Sequence, residues 1–154
     1  MTGIADRLQE LGITLPAPPP PAGLYVPALQ SGDMLYISGQ VPLHDGKVIE
    51  TGKCGDNITV ERGAELARHC TLNALAIARE HLGSLDRIEQ VVRVGGYVAS
   101  APGFGQQPQV INGASKLLLD VFGDAGQHAR AAVGVAELPL NAPVELEFIF
   151  RVTQ

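Results

Sequence analysis

The sequence predicts an α+β fold, a β-sheet with two helices packed on one of its faces, and three observations predict it. Two segments, residues 60–82 and about 106–122, repeat apolar residues at helical spacing. The segments around them are rich in β-branched residues or alternate apolar and polar with period two. The elements run as several strands, helix, strand, helix and two strands, and two helices can cover only one face of the resulting sheet. With 154 residues, 45% hydrophobic and 18% charged, the chain has the size and composition of one globular domain.

Ile4, Leu8 and Leu11 recur at helical spacing, so the chain opens with a short amphipathic helix ending at Gly12. Residues 16–22, PAPPPPA, lack most backbone donors and are expected to run extended, either as a stiff spacer laying the helix onto the domain or as a PxxP ligand. Residues 1–22 thus form an N-terminal arm, and residues 23–154 the α+β domain. LYVPAL, MLYISGQV and KVIE, separated by turns at Ser31-Gly32-Asp33 and His44-Asp45-Gly46, predict an antiparallel meander. The first long helix places Leu66, Cys70, Ala74, Ile77 and Ala78 on one side and ends at Gly83. Arg87 to Ser100 predicts a long strand, with a bulge expected at Gly95-Gly96. The second helix carries Pro108 in its first turn and Val110, Ala114, Leu117, Leu118 and Val121 on its inner face.

Two strands close the chain, Arg130 to Val135 and Val144 to Val152, joined by the turn Pro139-Leu140-Asn141-Ala142-Pro143. In the last one, Val144, Leu146, Phe148, Phe150 and Val152 alternate with Glu145, Glu147, Ile149 and Arg151, which assigns the first set to the helix side. In the strand before it, Ala131, Val133 and Val135 are expected toward the helices, with Arg130, Ala132 and Gly134 on the opposite face. That uncovered face is partly apolar, so a homo-oligomer is expected to cover it.

Composition also bounds the function. The net charge is −5 and the 11 Lys and Arg residues form no run, which speaks against nucleic acid, whose affinity comes largely from clustered basic groups. Cys54 and Cys70 are read as free thiols of a reducing compartment. Without a signal-peptide pattern or an apolar run of the ~18 residues that a membrane span requires, the expectation is a cytoplasmic protein with no membrane partner. Asn57-Ile58-Thr59 is then a chance sequon. Gly103-Phe104-Gly105 lacks the third glycine of a dinucleotide fingerprint, and His44, His69, His81 and His128 show no metal-ligand spacing, so neither a cofactor nor a metal is expected.

Residues 129–147, ARAAVGVAELPLNAPVELE, hold the main candidates. Arg130 and Glu145 are expected on adjacent strands, both facing away from the helices. A sheltered guanidinium offers a planar fork that binds a carboxylate through two charge-assisted bonds. Spacing alone leaves open whether Arg130 anchors a ligand or pairs with Glu145 or Glu147 for structure.

LYVPALQSGDMLYISGQVPLHDGKV followed by HARAAVGVAELPLNAPVELEF resembles the RidA/YjgF reactive intermediate deaminases, also called the L-PSP endoribonuclease group, from about residue 23 to the C-terminus. The resemblance implies a chorismate-mutase-like fold of the bacillar type, with a mixed sheet, and a homotrimer whose sheets form a central β-barrel with clefts between subunits. It implies hydrolysis of enamines and imines such as 2-aminoacrylate to 2-oxo acids and ammonia, without cofactor or metal. Arg130 then corresponds to the residue that grips the substrate carboxylate and Glu145 to the acid that orders the attacking water. Tyr25 stands where the family has a pocket tyrosine, although strand packing explains it equally. Gly39, in Ser38-Gly39-Gln40, matches a strand-end signature where backbone fit is the expected role. The sequence departs from the family pattern at Ala132, which replaces a common Cys, and at Ser115, which aligns with a common Asn while Asn112 lies one turn earlier. These departures point to a divergent subgroup and leave a non-catalytic, carboxylate-binding trimer as the alternative to the enzyme; ribonuclease activity is disfavoured by the acidic balance. His128, two residues before Arg130, reads as a strand-end surface histidine, with a place near the site as the exception.

Overall fold

The computed structural model describes residues 3–154. After a short helix α1 (Ile4–Glu10) come strands β1 (Ala28–Ser31), β2 (Met34–Gln40), β3 (Leu43–His44) and β4 (Lys47–Val48), then helix α2 (Val60–Leu82). Strand β5 (Ile88–Ala99), helix α3 (Gln107–Phe122), strand β6 (Ala129–Val135) and strand β7 (Val144–Val152) complete the chain. Five strands form one mixed sheet in the order β1-β2-β7-β5-β6, in which only β5 and β6 run parallel.

Both long helices follow from local chemistry. Thr59 caps α2 by accepting from the Arg62 backbone N–H at 3.0 Å, and Gly83 ends it in the left-handed conformation at φ 84°. Pro108 occupies the first turn of α3, where no backbone donor is missed. α2 and α3 pack on one face of the sheet, burying Leu66, Leu75, Ile111 and Leu118 against Leu35, Val91, Val94, Leu146, Phe148 and Phe150. The alternation of β7 follows the period-two expectation throughout its length. The helices approach each other closely at Gly113, where an added Cβ would fall on the carbonyl oxygen of Ala64. The arm is tied to this body as well: Leu8 and Leu15 are buried, Arg7 Nε donates to the Asp120 carbonyl at 2.8 Å, and the Ile4 backbone N–H donates to Asp86 Oδ1 at 2.7 Å.

The structure corrects four expectations. Only part of the meander enters the sheet: β1 begins after Pro27, which has no N–H to donate, and β3 and β4 form a separate two-stranded hairpin beyond Pro42. The irregularities of β5 fall between Ile88 and Gln90 and between Val91 and Arg93, while Gly95 and Gly96 pair regularly with Glu147 and Leu146. Those glycines serve close approach instead, since a Cβ at Gly96 would stand 2.6 Å from Ile111 and one at Gly95 2.8 Å from the Glu147 carboxylate. β6 and β7 are not neighbours, because β5 lies between them. Finally, the faces of β6 are reversed: Arg130 bonds to α3, Ala132 packs against the core and a Cβ at Gly134 would meet Gln107 of α3, whereas Val133 is 45% exposed on the uncovered face. The strand is made almost wholly of small residues, so burial gives neither face an advantage, and α3 supplies the polar acceptors that the guanidinium needs.

No described helix is long and apolar enough to cross a membrane.

Candidate functional site

A sheet with one covered and one open face splits the candidate residues into two groups. On the helix side, at the sheet edge, the Arg130 guanidinium reaches α3: Nη1 donates to Asn112 Oδ1 at 2.8 Å and to Ser115 Oγ at 3.1 Å, and Nη2 lies 3.4 Å from the Pro108 carbonyl. Asn112 and Ser115 are three residues apart on one helix and therefore share a face. His128 joins the group, with Nε2 2.8 Å from Ser115 Oγ and Nδ1 2.6 Å from the Gly126 carbonyl. All of Arg130's partners are neutral, and among the described residues no carboxylate forms an ion pair with it. The structural ion pair with Glu145 or Glu147, left open by spacing, is thus not made within the protomer. What remains is a part-buried cation with unused donors, the chemistry of an anion site.

On the uncovered face, three rows cross the sheet. Leu29, Tyr36, Ile149 and Arg93 stand abreast in one, Glu147, Gly95 and Ala131 in the next, and Glu145, Tyr97 and Val133 in the third. Tyr97 Oη donates to Glu147 Oε1 at 2.8 Å, a bond that also raises the Tyr97 pKa. Glu145 is half-buried, and burial, reinforced by the charge of Glu147, lifts its carboxyl above the ordinary glutamate range. Its carboxylate occupies the space that a side chain at residue 39 would need, which is why Gly39 stands there. Tyr25 lines a cavity of about 470 Å³ on this same face, together with Tyr36, Arg93, Glu147 and Ile149. Ser38 holds that segment against β2 by donating from Oγ to the Val26 carbonyl at 2.7 Å.

The candidate residues therefore fall into two groups, Arg130 with Ser115 on one side of the sheet, and Glu145, Gly39 and Tyr25 on the other. Asn112 and His128 are the members that sequence reasoning underweighted. Both left a signal: Asn112 is one helical turn from Ser115, and His128 shares the parity of Arg130 along an extended strand. The cysteines stay out of the chemistry. Burial pushes the Cys54 thiol up to about 11 and raises Cys70 well above its ordinary value, so neither is a ready thiolate. Among the described residues, no group of three or more His, Cys, Asp or Glu side chains is arranged to hold a metal ion.

Comparison with known proteins adds an independent line. Residues 5–152 match the family model described as "YjgF/chorismate_mutase-like, putative endoribonuclease". Protein TCP17 of Trypanosoma cruzi is 46% identical over 145 residues, covering 94% of this chain and 91% of that protein. The 2-iminobutanoate/2-iminopropanoate deaminase of Dermatophagoides farinae is 31% identical over 138 residues, covering 89% and 92%. Among solved structures, the protein Atu1372 of Agrobacterium tumefaciens, of unknown function, superimposes with a TM-score of 0.88 at 45% identity over 97% of this chain and 91% of its own. The Escherichia coli TdcF structure with bound serine gives a TM-score of 0.64 at 25% identity, covering 92% and 96%.

Proposed function

The chain belongs to the YjgF/chorismate mutase-like family, and from that premise we propose that it hydrolyses enamines and imines of small carboxylates, such as 2-aminoacrylate, to 2-oxo acids and ammonia. The observation that carries the reading is the Arg130 guanidinium, held by neutral acceptors and with no carboxylate partner among the described residues. A relative with imine deaminase activity and a family fold found with bound serine, itself a small carboxylate, support it.

In this reading Arg130 grips the substrate carboxylate, with Ser115 beside it, and Glu145 orders the attacking water. An enamine first takes a proton from water at its β-carbon and becomes the protonated imine; water's oxygen then bonds to the C=N carbon as the π pair moves to nitrogen. Glu145 accepts the water proton and returns it to nitrogen; the C–N bond then breaks, the hydroxyl proton leaves, and ammonia and the 2-oxo acid are released. A carboxylate whose pKa is raised is suited to that double duty, because it both takes up and gives back a proton more readily near neutral pH. Orientation does the rest, since a protonated imine is already electrophilic.

Arg130 and Glu145 lie on opposite faces of one sheet with β5 between their strands, so the reading requires the cleft to be completed by a second copy of the chain. A homotrimer with the uncovered faces gathered into a central barrel would bring one protomer's Arg130 half to its neighbour's Glu145, Gly39 and Tyr25 half. Neither a metal nor a cofactor enters the scheme, nucleic acid and membrane have no part in it, and the two buried free thiols agree with a cytoplasmic setting. A second reading, a carboxylate-binding trimer without turnover, is favoured by Ala132, which leaves the Arg130 half with no thiol or carboxyl.

The test couples a 2-aminoacrylate generator to the purified protein and follows imine decay, with Arg130→Ala as control. Acceleration by wild type and none by the variant is expected. Decay at the buffer rate in both, with wild type still binding 2-oxobutanoate, would leave the binding reading in its place.

A further inference from the structure

With the His128 ring neutral, the three hydrogen bonds that link Arg130, Ser115, His128 and Gly126 each have one consistent direction. Arg130 Nη1 can only donate, so Ser115 Oγ, 3.1 Å away, accepts from it. The Gly126 carbonyl can only accept, so the proton of the neutral His128 ring sits on Nδ1, 2.6 Å from that oxygen. Nε2 is then an acceptor, and the Ser115 hydroxyl donates to it across 2.8 Å. The result is a relay in which every member has one role, running from the guanidinium through Ser115 and His128 to the main chain.

The same accounting fixes which edge of the guanidinium is available. Both hydrogens of Nη1 are consumed, one by Asn112 Oδ1 at 2.8 Å and one by Ser115. Among the described residues, Nε–H has no acceptor and Nη2 has only the long 3.4 Å approach to the Pro108 carbonyl. A carboxylate therefore meets Arg130 along its Nε–Nη2 edge, which presents two parallel N–H bonds.

We propose that His128 is a positioning residue for this anchor: by drawing the Ser115 proton to itself, it frees the Oγ lone pair for Nη1 and so turns the Nε–Nη2 edge toward the ligand. Without His128, the Ser115 hydroxyl can rotate and offer its proton instead of its lone pair, and the guanidinium loses one of the two bonds that set its orientation. Ser115 is accordingly an acceptor toward Arg130 and not itself a ligand to the carboxylate. The inference rests on the reading of Arg130 as the carboxylate anchor.

The experiment measures the affinity of 2-oxobutanoate by calorimetry for wild type, Arg130→Ala, Ser115→Ala, Ser115→Thr, His128→Ala and the Ser115→Ala/His128→Ala double variant. It is paired with ¹⁵N NMR of the His128 ring in the wild-type protein. Loss of binding is expected for Arg130→Ala, and roughly three- to tenfold weaker binding for Ser115→Ala and for His128→Ala. The double variant should bind no more weakly than Ser115→Ala, because His128 acts through that hydroxyl, and Ser115→Thr should bind as wild type does. The ring should show a protonated Nδ1 and an unprotonated Nε2. Independent, additive losses, unchanged binding in His128→Ala, or a proton on Nε2 would overturn the role of His128 while leaving the anchor in place. Wild-type affinity in Arg130→Ala would instead overturn the anchor itself, and the inference with it. The NMR signature is read without any substitution, so instability of a variant does not blunt the test.

Discussion

At the residue scale, the role proposed for Glu145 is set against stability. Its carboxyl has a higher pKa in the folded chain than in the unfolded one, so the folded state binds more protons, and stability falls as pH rises from the unfolded value near ~4.3 through the raised folded value. The penalty is complete above that window and absent below it. Glu145→Gln removes the charge, so its Tm should exceed that of wild type at pH 7, with the gap closing as the pH is lowered from the raised folded value to the unfolded one. The same substitution should lower kcat for imine hydrolysis by about 10²–10⁴-fold, the usual worth of a positioned acid–base group. A scanning calorimetry series in pH and the coupled assay check the two halves separately. Arg130 and Glu145 stood out in the sequence as candidates, but their geometry did not. The strand that carries Arg130 offers only alanines, valines and a glycine as contrast, so period-two reasoning had no apolar face to orient by, and the guanidinium turned to the acceptors on α3.

At the element scale, Gly113 opposes two effects of known size. Alanine is better than glycine inside a helix by about 1 kcal/mol, so propensity alone predicts that Gly113→Ala stabilises α3. The added methyl would fall on the carbonyl oxygen of Ala64, and overpacking against a close neighbour costs about 1–3 kcal/mol or more. Backbone cannot rotate aside as a side chain does, so the cost wins, and Gly113→Ala should lower the denaturant midpoint. At the N-terminus of α2, Thr59→Ala removes the cap on the Arg62 N–H and should cost about 1 kcal/mol by the same measurement. The helices themselves were readable because amphipathic periodicity, caps and the Pro and Gly stop signals agree over many residues. The β3–β4 hairpin was not, since two-residue strands carry too little alternation to reveal which sheet they join. Nor were the roles of Gly95 and Gly96, because a glycine required by a bulge and one required by a neighbour's approach look alike in sequence.

At the scale of the whole molecule, the uncovered sheet face carries Leu29, Tyr36 and Val133 exposed, with Ile149 beside them. Gathering such faces in a trimer removes them from water. Light scattering on the eluting wild-type protein should report three copies, and Tyr36→Glu combined with Ile149→Glu should report one; a monomeric wild type would leave the proposed cleft without its second wall. The layering of helices over one face was legible in the order of the elements, whereas the position of each strand within the sheet was not, since alternation reports faces and says nothing about neighbours. That order has a consequence for biosynthesis. The last strand made, β7, is the middle one, flanked by β2 and β5. Until it emerges from the ribosome, those two strands keep open rows of backbone donors and acceptors with nothing between them, exposed to pairing with other nascent chains. A message cut short before Val144 therefore yields two half-sheets lacking their keystone.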